Sequence, residues 1–138
     1  MDSKIVNLSV LMITSQYPSE AKPYSGVFVK RQADFLRKFG VRLDVHKFNG
    51  QKNPLNYFIE WFKVRKKIRT NKYNLIHCQF GQSGLLAIPK KLPLVVTFRG
   101  SEVQGIINNL GKQTLTGRIL KLISCYVAKK ATKVIVVS

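Results

Sequence analysis

Carboxylates are scarce in this sequence. Only 6 of its 138 residues are Asp or Glu, against 24 Lys and Arg, giving a formal charge of +18 and a pI near 10.3. A balance this basic predicts attraction to anions, whether phosphorylated small molecules, an anionic membrane or nucleic acid, and charge alone does not choose among them. Cysteine is equally sparse. Cys78 and Cys125 provide no disulfide framework, and with no further ligands at short spacing they provide no zinc site. They read as reduced core thiols of a cytosolic protein, Cys78 in a buried strand and Cys125 in a helix. No apolar run approaches the roughly 18 to 20 residues that span a bilayer. The opening Met1-Asp2-Ser3-Lys4 leads into a strand without the basic segment and apolar run of a secretory signal. The expectation is a soluble or peripheral protein, cytoplasmic or held at the inner face of the cell membrane.

Short catalytic signatures are missing as well. There is no G-x-x-x-x-G-K-[ST] and no G-x-G-x-x-G, so neither standard phosphate-cradling loop is present. There is no G-x-S-x-G elbow, and neither histidine has a Ser or Cys partner at a defined spacing. Hydrolase and dehydrogenase readings therefore lack support, and no metal site or cofactor is expected. Internal repeats and low-complexity segments are also absent.

What is present is an alternation of buried-type strands and helices, in a chain of one domain's length with 45% hydrophobic residues, enough for a core. Leu8 to Thr14 reads as the first strand. It exits through Ser15 to Gly26, where prolines, serines and a glycine mark a long loop. Val27 to Phe39 reads as a helix with Val27, Phe28, Ala33, Phe35, Leu36 and Phe39 as its buried stripe and Gly40 ending it. Its N-terminus, entered through Ser25-Gly26, presents unpaired backbone N–H groups able to receive a phosphate. Val41 to His46 alternates apolar and polar residues, as a strand near the sheet edge does; His46 reads as exposed or satisfied.

The next helix, from Asn53-Pro54 to about Arg69, carries two apolar stripes. Tyr57, Trp61, Val64 and Ile68 recur at i, i+4, i+7 and i+11, while Leu55, Phe58, Ile59 and Phe62 lie nearly opposite. One stripe can face a sheet; the other needs a partner. Lys63, Arg65, Lys66, Lys67, Arg69 and Lys72 add a basic cluster, and aromatics beside such a cluster suit contact with an anionic membrane through Trp61 and these residues. Burial of both stripes by neighbouring helices or a second domain is the competing expectation. Asn74 to Phe80 is the third strand, ending in Gly81-Gln82-Ser83-Gly84, with Ser83 or Gly84 as the cap of a short helix from Leu85 to Ile88. Leu94 to Phe98 reads as a strand buried on both faces. A helix from about Leu115 to Ala131 follows, its apolar face being Ile119, Leu122, Ile123, Tyr126 and Val127. Lys133 to Val137 has the composition of a buried parallel strand. An α/β fold ending on such a strand suggests a piece of a longer polypeptide.

Strands alternating with helices predict a Rossmann-like, doubly wound parallel sheet in three α/β/α layers. The expected strand order is 3-2-1-4-5, with its switch point between strands one and four. That order brings the loop Ser15 to Gly26 and the turn Arg99 to Gly105 to opposite sides of one crevice, with Phe80 to Gly84 close by.

Four stretches then carry a family resemblance: Ser15-Gln-Tyr-Pro-Ser-Glu20 with Tyr24-Ser-Gly-Val-Phe-Val-Lys30, Tyr73-Asn-Leu-Ile-His-Cys-Gln-Phe-Gly-Gln-Ser-Gly84, Pro93-Leu-Val-Val-Thr-Phe-Arg-Gly-Ser-Glu-Val103 and Ala131-Thr-Lys-Val-Ile-Val-Val-Ser138. In order and spacing they resemble the N-terminal domain of family 4 glycosyltransferases of the GT-B architecture. The resemblance implies a retaining transferase that moves a sugar from a nucleotide-sugar donor to an acceptor hydroxyl, in a cleft between two Rossmann-like domains and without a required metal. It further implies a glycan or lipid-linked acceptor, a role in cell-surface polysaccharide or glycolipid synthesis, and a separate C-terminal donor-binding domain outside residues 1–138. By the same resemblance, Ser25-Gly26 matches the small-residue loop beside the donor phosphates and acceptor. Gly81, Ser83 and Gly84 match the acceptor-side loop after the third strand. Arg99-Gly100-Ser101-Glu102 matches a turn usually written His-Gly-Ser-Asp. Arg99 takes the histidine's place there, Glu102 the aspartate's, and Gln79 stands where a second histidine is frequent. Arginine is a permanent cation that cannot act as a neutral imidazole. Altered specificity, an anionic sugar or acceptor, or lost activity are the consequences such a change allows. No catalytic side chain is assigned.

A non-catalytic Rossmann-like module that binds a phosphorylated ligand or a partner subunit is the alternative. Nucleic-acid binding rests on charge alone, with no motif behind it, and is not expected.

Overall fold

In the computed structural model the described residues are 7–49, 54–89, 91–99 and 115–137. They form one parallel sheet with helices on both faces, as a strand–helix alternation requires. The strands are β1 (Ser9–Thr14), β2 (Arg42–Lys47), β3 (Leu75–Gln79), β4 (Leu94–Phe98) and β5 (Lys133–Val136). The helices are α1 (Val27–Lys38), α2 (Pro54–Thr70) and α3 (Leu115–Lys130), with a 3₁₀ helix over Gly81–Ala87. That 3₁₀ helix starts earlier than expected, with Phe80 as its N-cap and no side-chain cap from Ser83.

The sheet order is β2-β1-β3-β4-β5, all pairs parallel, which corrects the expected 3-2-1-4-5. The physical reason lies in β2 and β3. β2 keeps Arg42 and Lys47 exposed, which an edge tolerates and a central position does not. In β3 the residues from Ile76 to Gln79 are buried, so it needs a neighbour on each side and takes the place between β1 and β4. The switch point therefore falls between β1 and β3, not between strands one and four.

Side chains alternate between two cores. On one face Leu11, Ile13, Ile76, Cys78, Leu94, Val96 and Phe98 meet Val64 of α2, Leu86 of the 3₁₀ helix and Val127 of α3. On the other, Val10, Met12, Leu43 and Phe80 meet Val29 and Ala33 of α1. The small pair Val29 and Ala33, with half-buried Leu36, recurs at i, i+4 and i+7 and presses α1 onto the sheet. Phe28, Phe35 and Phe39, expected in that stripe, lie on an adjacent face and are exposed. Two overlapping apolar stripes were available, and the smaller residues allow the closer approach.

Further expectations are corrected by exposure. β5, expected to be buried, is exposed along its whole length, Val136 at 69%, because among the described residues it pairs only with β4, at the sheet edge. Ile119, Leu122 and Tyr126 of α3 are exposed, while Gly117, Ser124 and Val127 are buried. Cys78 is buried as expected, whereas Cys125 is an exposed thiol and not a core one. His46 is the satisfied histidine expected: its Nε2 lies 2.7 Å from Glu60 Oε2, and burial lowers its pKa against the pull of that carboxylate. Among the described residues no helix is long and apolar enough to cross a membrane.

Of the two stripes on α2, Tyr57, Trp61, Val64 and Ile68 pack on the sheet. Leu55, Phe58, Ile59 and Phe62 stay exposed, Leu55 at 70% and Phe58 at 67%. Burial of both stripes is thus not observed among the described residues.

Candidate functional site

Thr14 ends β1 and Gln79 ends β3, so the carboxyl ends of the two strands flanking the switch point adjoin at the candidate crevice, the place where α/β sheets bind their ligands. One wall is the loop from Ser15 to α1. Ser19 and Lys22 exchange backbone hydrogen bonds of 3.2 Å within it, and Thr14 Oγ1 donates to Gln16 O at 2.8 Å. The loop closes at Gly26, which enters α1 in the left-handed region (φ 65°, ψ 28°) and accepts from Val29 N and Lys30 N at 3.0 and 3.1 Å. A Cβ here would lie 2.3 Å from Gln16 O, so only glycine lets the helix start turn back against the exit of β1. Ser25 beside it is half-buried.

The second wall begins at Phe80, whose φ of 73° with ψ of 147° is a region that non-glycine residues enter at a cost of about 1–3 kcal/mol. Such strain is held only where surroundings impose it. Phe80 N donates to Thr97 O at 2.9 Å, and its ring meets Phe28 edge-on at 6.1 Å. Phe28 is therefore the hinge between walls: it belongs to the first turn of α1, touches Phe80, and carries the guanidinium of Arg99 4.2 Å above its ring.

Arg99 reaches this position from the end of β4, one strand away from the switch point. Its Nη2 donates to Gln79 Oε1 at 3.3 Å, and Gln79 Nε2 donates to Gln32 Oε1 at 2.7 Å. Gln79 is 0% exposed, so its amide is a fixed connector between α1 and β4. Below it, His77 Nε2 and Thr97 Oγ1 are 2.8 Å apart. Burial, aided by the Arg99 charge, lowers the His77 pKa to about 4, so at neutral pH the ring is uncharged. The floor is thus neutral and polar, and the rim is cationic.

The expected site residues divide accordingly. Gly26, through Phe28, comes together with Phe80 and Arg99. Gly81 and Gly84 are buried against α3, and Ser83 between them is buried as well. A Cβ on Gly84 would lie 2.3 Å from Val127 Cγ1, so this glycine sets the close approach of the 3₁₀ helix to α3. Ser83 Oγ and Ser124 Oγ are buried without a hydrogen-bond partner among the described residues. Gly100, Ser101 and Glu102 lie outside the described residues, as does the rest of the turn to Gly105. Sequence reasoning missed Gln32 and placed Phe28 in the core. Their i, i+4 spacing was visible, but which sheet edge that face of α1 meets depends on the strand order.

The expected membrane-contact residues lie on α2. Lys63, Lys66 and Arg69 are exposed and Lys67 is half-buried, but Arg65 is only 7% exposed, a correction to its placement in the solvent-facing cluster. Its guanidinium sits 5.0 Å from the Trp61 ring, none of its nitrogens has a hydrogen-bond partner among the described residues, and burial followed by the Arg69 charge lowers its pKa. Trp61 Nε1 donates to Ile88 O at 2.8 Å, tying α2 to the end of the 3₁₀ helix. Between them runs an open apolar groove of about 270 Å³ lined by Pro54, Tyr57, Phe58, Trp61, Leu85 and Leu86. Among the described residues no three His, Cys, Asp or Glu side chains gather around a common point.

A family model described as Glycosyltransferase Family 4 matches residues 9–138. No curated protein matches the chain.

Proposed function

The chain belongs to glycosyltransferase family 4, and on that premise we propose that it is the acceptor-side half of a retaining transferase that moves a sugar from a nucleotide-sugar donor to an acceptor hydroxyl. The observation that carries this reading is the meeting of the α1 entrance, the strained Phe80 and Arg99 around Phe28 at the carboxyl ends of the strands beside the β1/β3 switch point. The α1 entrance offers backbone N–H groups and a partial positive charge to an incoming oxyanion. Arg99 adds a fixed cation. Turnover also needs stabilisation of the departing nucleotide diphosphate, a task we assign to a donor-binding domain facing this crevice.

Transfer is tested with radiolabelled nucleotide sugars and glycan or lipid-linked acceptors. The 138-residue chain alone is expected to be silent, and the chain joined to a donor-binding domain of the same family is expected to transfer. Turnover by the chain alone overturns the division of labour. Absence of nucleotide-sugar binding and of transfer in the joined protein overturns the transferase reading.

We also propose that α2 places the acceptor side on an anionic membrane. Its exposed Leu55, Phe58, Ile59 and Phe62 lie beside Lys63, Lys66 and Arg69, the combination of apolar contact and cationic flank that holds a helix in a lipid interface. Sedimentation with anionic vesicles at low salt is expected to carry the protein down, and Phe58→Ser with Phe62→Ser to leave it in the supernatant. Sedimentation that these two substitutions do not change, or none at all, removes the membrane from the reading.

A further inference from the structure

Two helices on the same side of the sheet turn apolar residues outward. α2 and α3 pack on one core, that of Leu11, Ile76 and Val96, to which α2 gives Val64 and α3 gives Val127. Away from that core α2 exposes Phe58, Ile59 and Phe62. On α3 the outward series is Leu115, Ile119, Leu122 and Tyr126, spaced i, i+4, i+7 and i+11 as one face of a helix is. The 3₁₀ helix packs against both helices, and the groove it shares with α2 is lined by no charged side chain.

The charge on this side has one sign. α2, the 3₁₀ helix and α3 hold a single carboxylate, Glu60, whose side chain is only 14% exposed and is engaged by His46 and Lys63. Around the stripes stand exposed Lys66 and Arg69 on α2 and Arg118, Lys129 and Lys130 on α3. Lys130 Nζ lies over the Tyr126 ring at 5.9 Å, so cation and stripe adjoin. On the opposite face of the sheet α1 also exposes Phe35 and Phe39, but there half-exposed Asp34 pairs with Lys30 and Arg37. A flat anionic surface meets only one face of a sheet. The α2/α3 face is the one with two apolar stripes and, among the described residues, no exposed carboxylate. A second copy of the chain is a poor occupant, since apposing two such faces brings like charges together.

We propose that α2 and α3 form one membrane-docking face, in which α3 is a second contact that enters the headgroup layer of an anionic bilayer beside α2. This inference deepens the membrane reading of α2 above and rests on it. Weak membrane contacts hold firmly only in combination. Both stripes belong to one packed body, so insertion of the first brings the second to the surface at high effective concentration, and the basic flanks meet the anionic headgroups. The strands run in the layer above these helices. With this face down they lie along the bilayer, and the site at their carboxyl ends opens sideways, within reach of a lipid-linked acceptor.

Phe62→Cys, Leu122→Cys and Phe35→Cys, each in a Cys125→Ser protein, give one accessible thiol on α2, α3 and α1 respectively, because Cys78 is buried. The three positions are similarly exposed, at 58%, 70% and 58%. Each is labelled with an environment-sensitive NBD fluorophore and titrated with vesicles of phosphatidylcholine and phosphatidylglycerol in equal parts. The labels on α2 and α3 are expected to brighten and shift to the blue at the same lipid concentration, and the label on α1 to keep its aqueous spectrum. Leu122→Ser with Tyr126→Ser, in the otherwise unchanged chain, is expected to weaken vesicle sedimentation about tenfold.

A response on α2 with none on α3, or a vesicle affinity unchanged by the two α3 serines, overturns the inference and leaves the α2 reading standing. A response on α1 equal to that on α3 also overturns it, because the contact then has no preferred face. So does a blue shift on α3 that grows with protein concentration in the absence of lipid, since a second copy then covers the stripe. No binding of the unsubstituted chain to vesicles overturns both readings. A native circular dichroism spectrum for each variant separates loss of binding from loss of fold, and the labelled proteins carry the test if the serine pair does not fold.

Discussion

Gly26 answers to two constraints that a single methyl group would violate. Its φ of 65° is unfavourable for a residue with a Cβ, and that Cβ would meet Gln16 O at 2.3 Å. Gly26→Ala is therefore expected to lower stability by about 2 kcal/mol or more in urea unfolding; a loss below about 0.5 kcal/mol would mean that the loop moves aside freely. Gly84 meets a side chain instead of backbone. Gly84→Ala collides with Val127 Cγ1, so Val127→Ala in the same protein is expected to recover part of the loss. A double-mutant cycle reads that coupling, and strictly additive losses would deny the contact. Both glycines were singled out from the sequence as site residues, but a sequence position cannot say what a missing Cβ avoids. One clears backbone and the other clears a neighbouring helix.

In α2, the two stripes face different surroundings despite similar composition. Val64 is 0% exposed and Phe58 is 67% exposed. Val64→Ala is expected to cost about 1–3 kcal/mol from lost burial and the cavity left behind, whereas Phe58→Ser is expected to stay within about 0.5 kcal/mol. Thermal or urea unfolding compares them directly, and equal losses would place both stripes in the core. Arg65 has the opposite expected sign. Among the described residues its buried guanidinium has no hydrogen-bond partner and lies against the Trp61 ring, and the desolvation of a charge exceeds what one cation–π contact returns. Arg65→Met is expected to raise stability by about 1 kcal/mol, and destabilisation would show that the guanidinium has a partner that offsets its burial. The double stripe on α2 was legible because 3.6-residue periodicity is written in the chain. In α1 the same periodicity was ambiguous, since Val29, Ala33 and Leu36 and the series Phe28, Phe35 and Phe39 each form a stripe. Hydrophobic size favours the phenylalanines, whereas close helix–sheet packing selected the smaller set.

Acid is expected to destabilise the whole molecule before its carboxylates titrate. His77 has a folded pKa of about 4, below the ordinary 6.5, because burial and the Arg99 charge disfavour its charged form. The unfolded chain binds that proton first as pH falls. Stability is thus fully present above about pH 6.5 and is lost progressively down to about pH 4, by roughly 3 kcal/mol in all. His46, also depressed, acts in the same direction. Urea midpoints across this window are expected to fall less steeply for His77→Gln than for the parent; identical slopes would place the proton uptake elsewhere.

The expectation of a parallel α/β sheet followed from local patterning: buried runs in β1, β3 and β4, polar alternation in β2, and helical stripes between them. These are properties of neighbours in sequence, which is why they could be read from residue order. Strand adjacency is a property of distant segments. The order β2-β1-β3-β4-β5 arises because β3 required neighbours on both sides and β2 could bear an edge. That choice moved the crevice to the β1/β3 junction and made Gln79 the floor that links Gln32 to Arg99. The sequence by itself determined the strands and helices, the basic surface and the presence of Arg99 after a buried strand. Only the tertiary structure decided what Arg99 rests on, that Phe28 serves the crevice and not the core, and that Arg65 turns inward, because each depends on which packed surfaces exclude water from it.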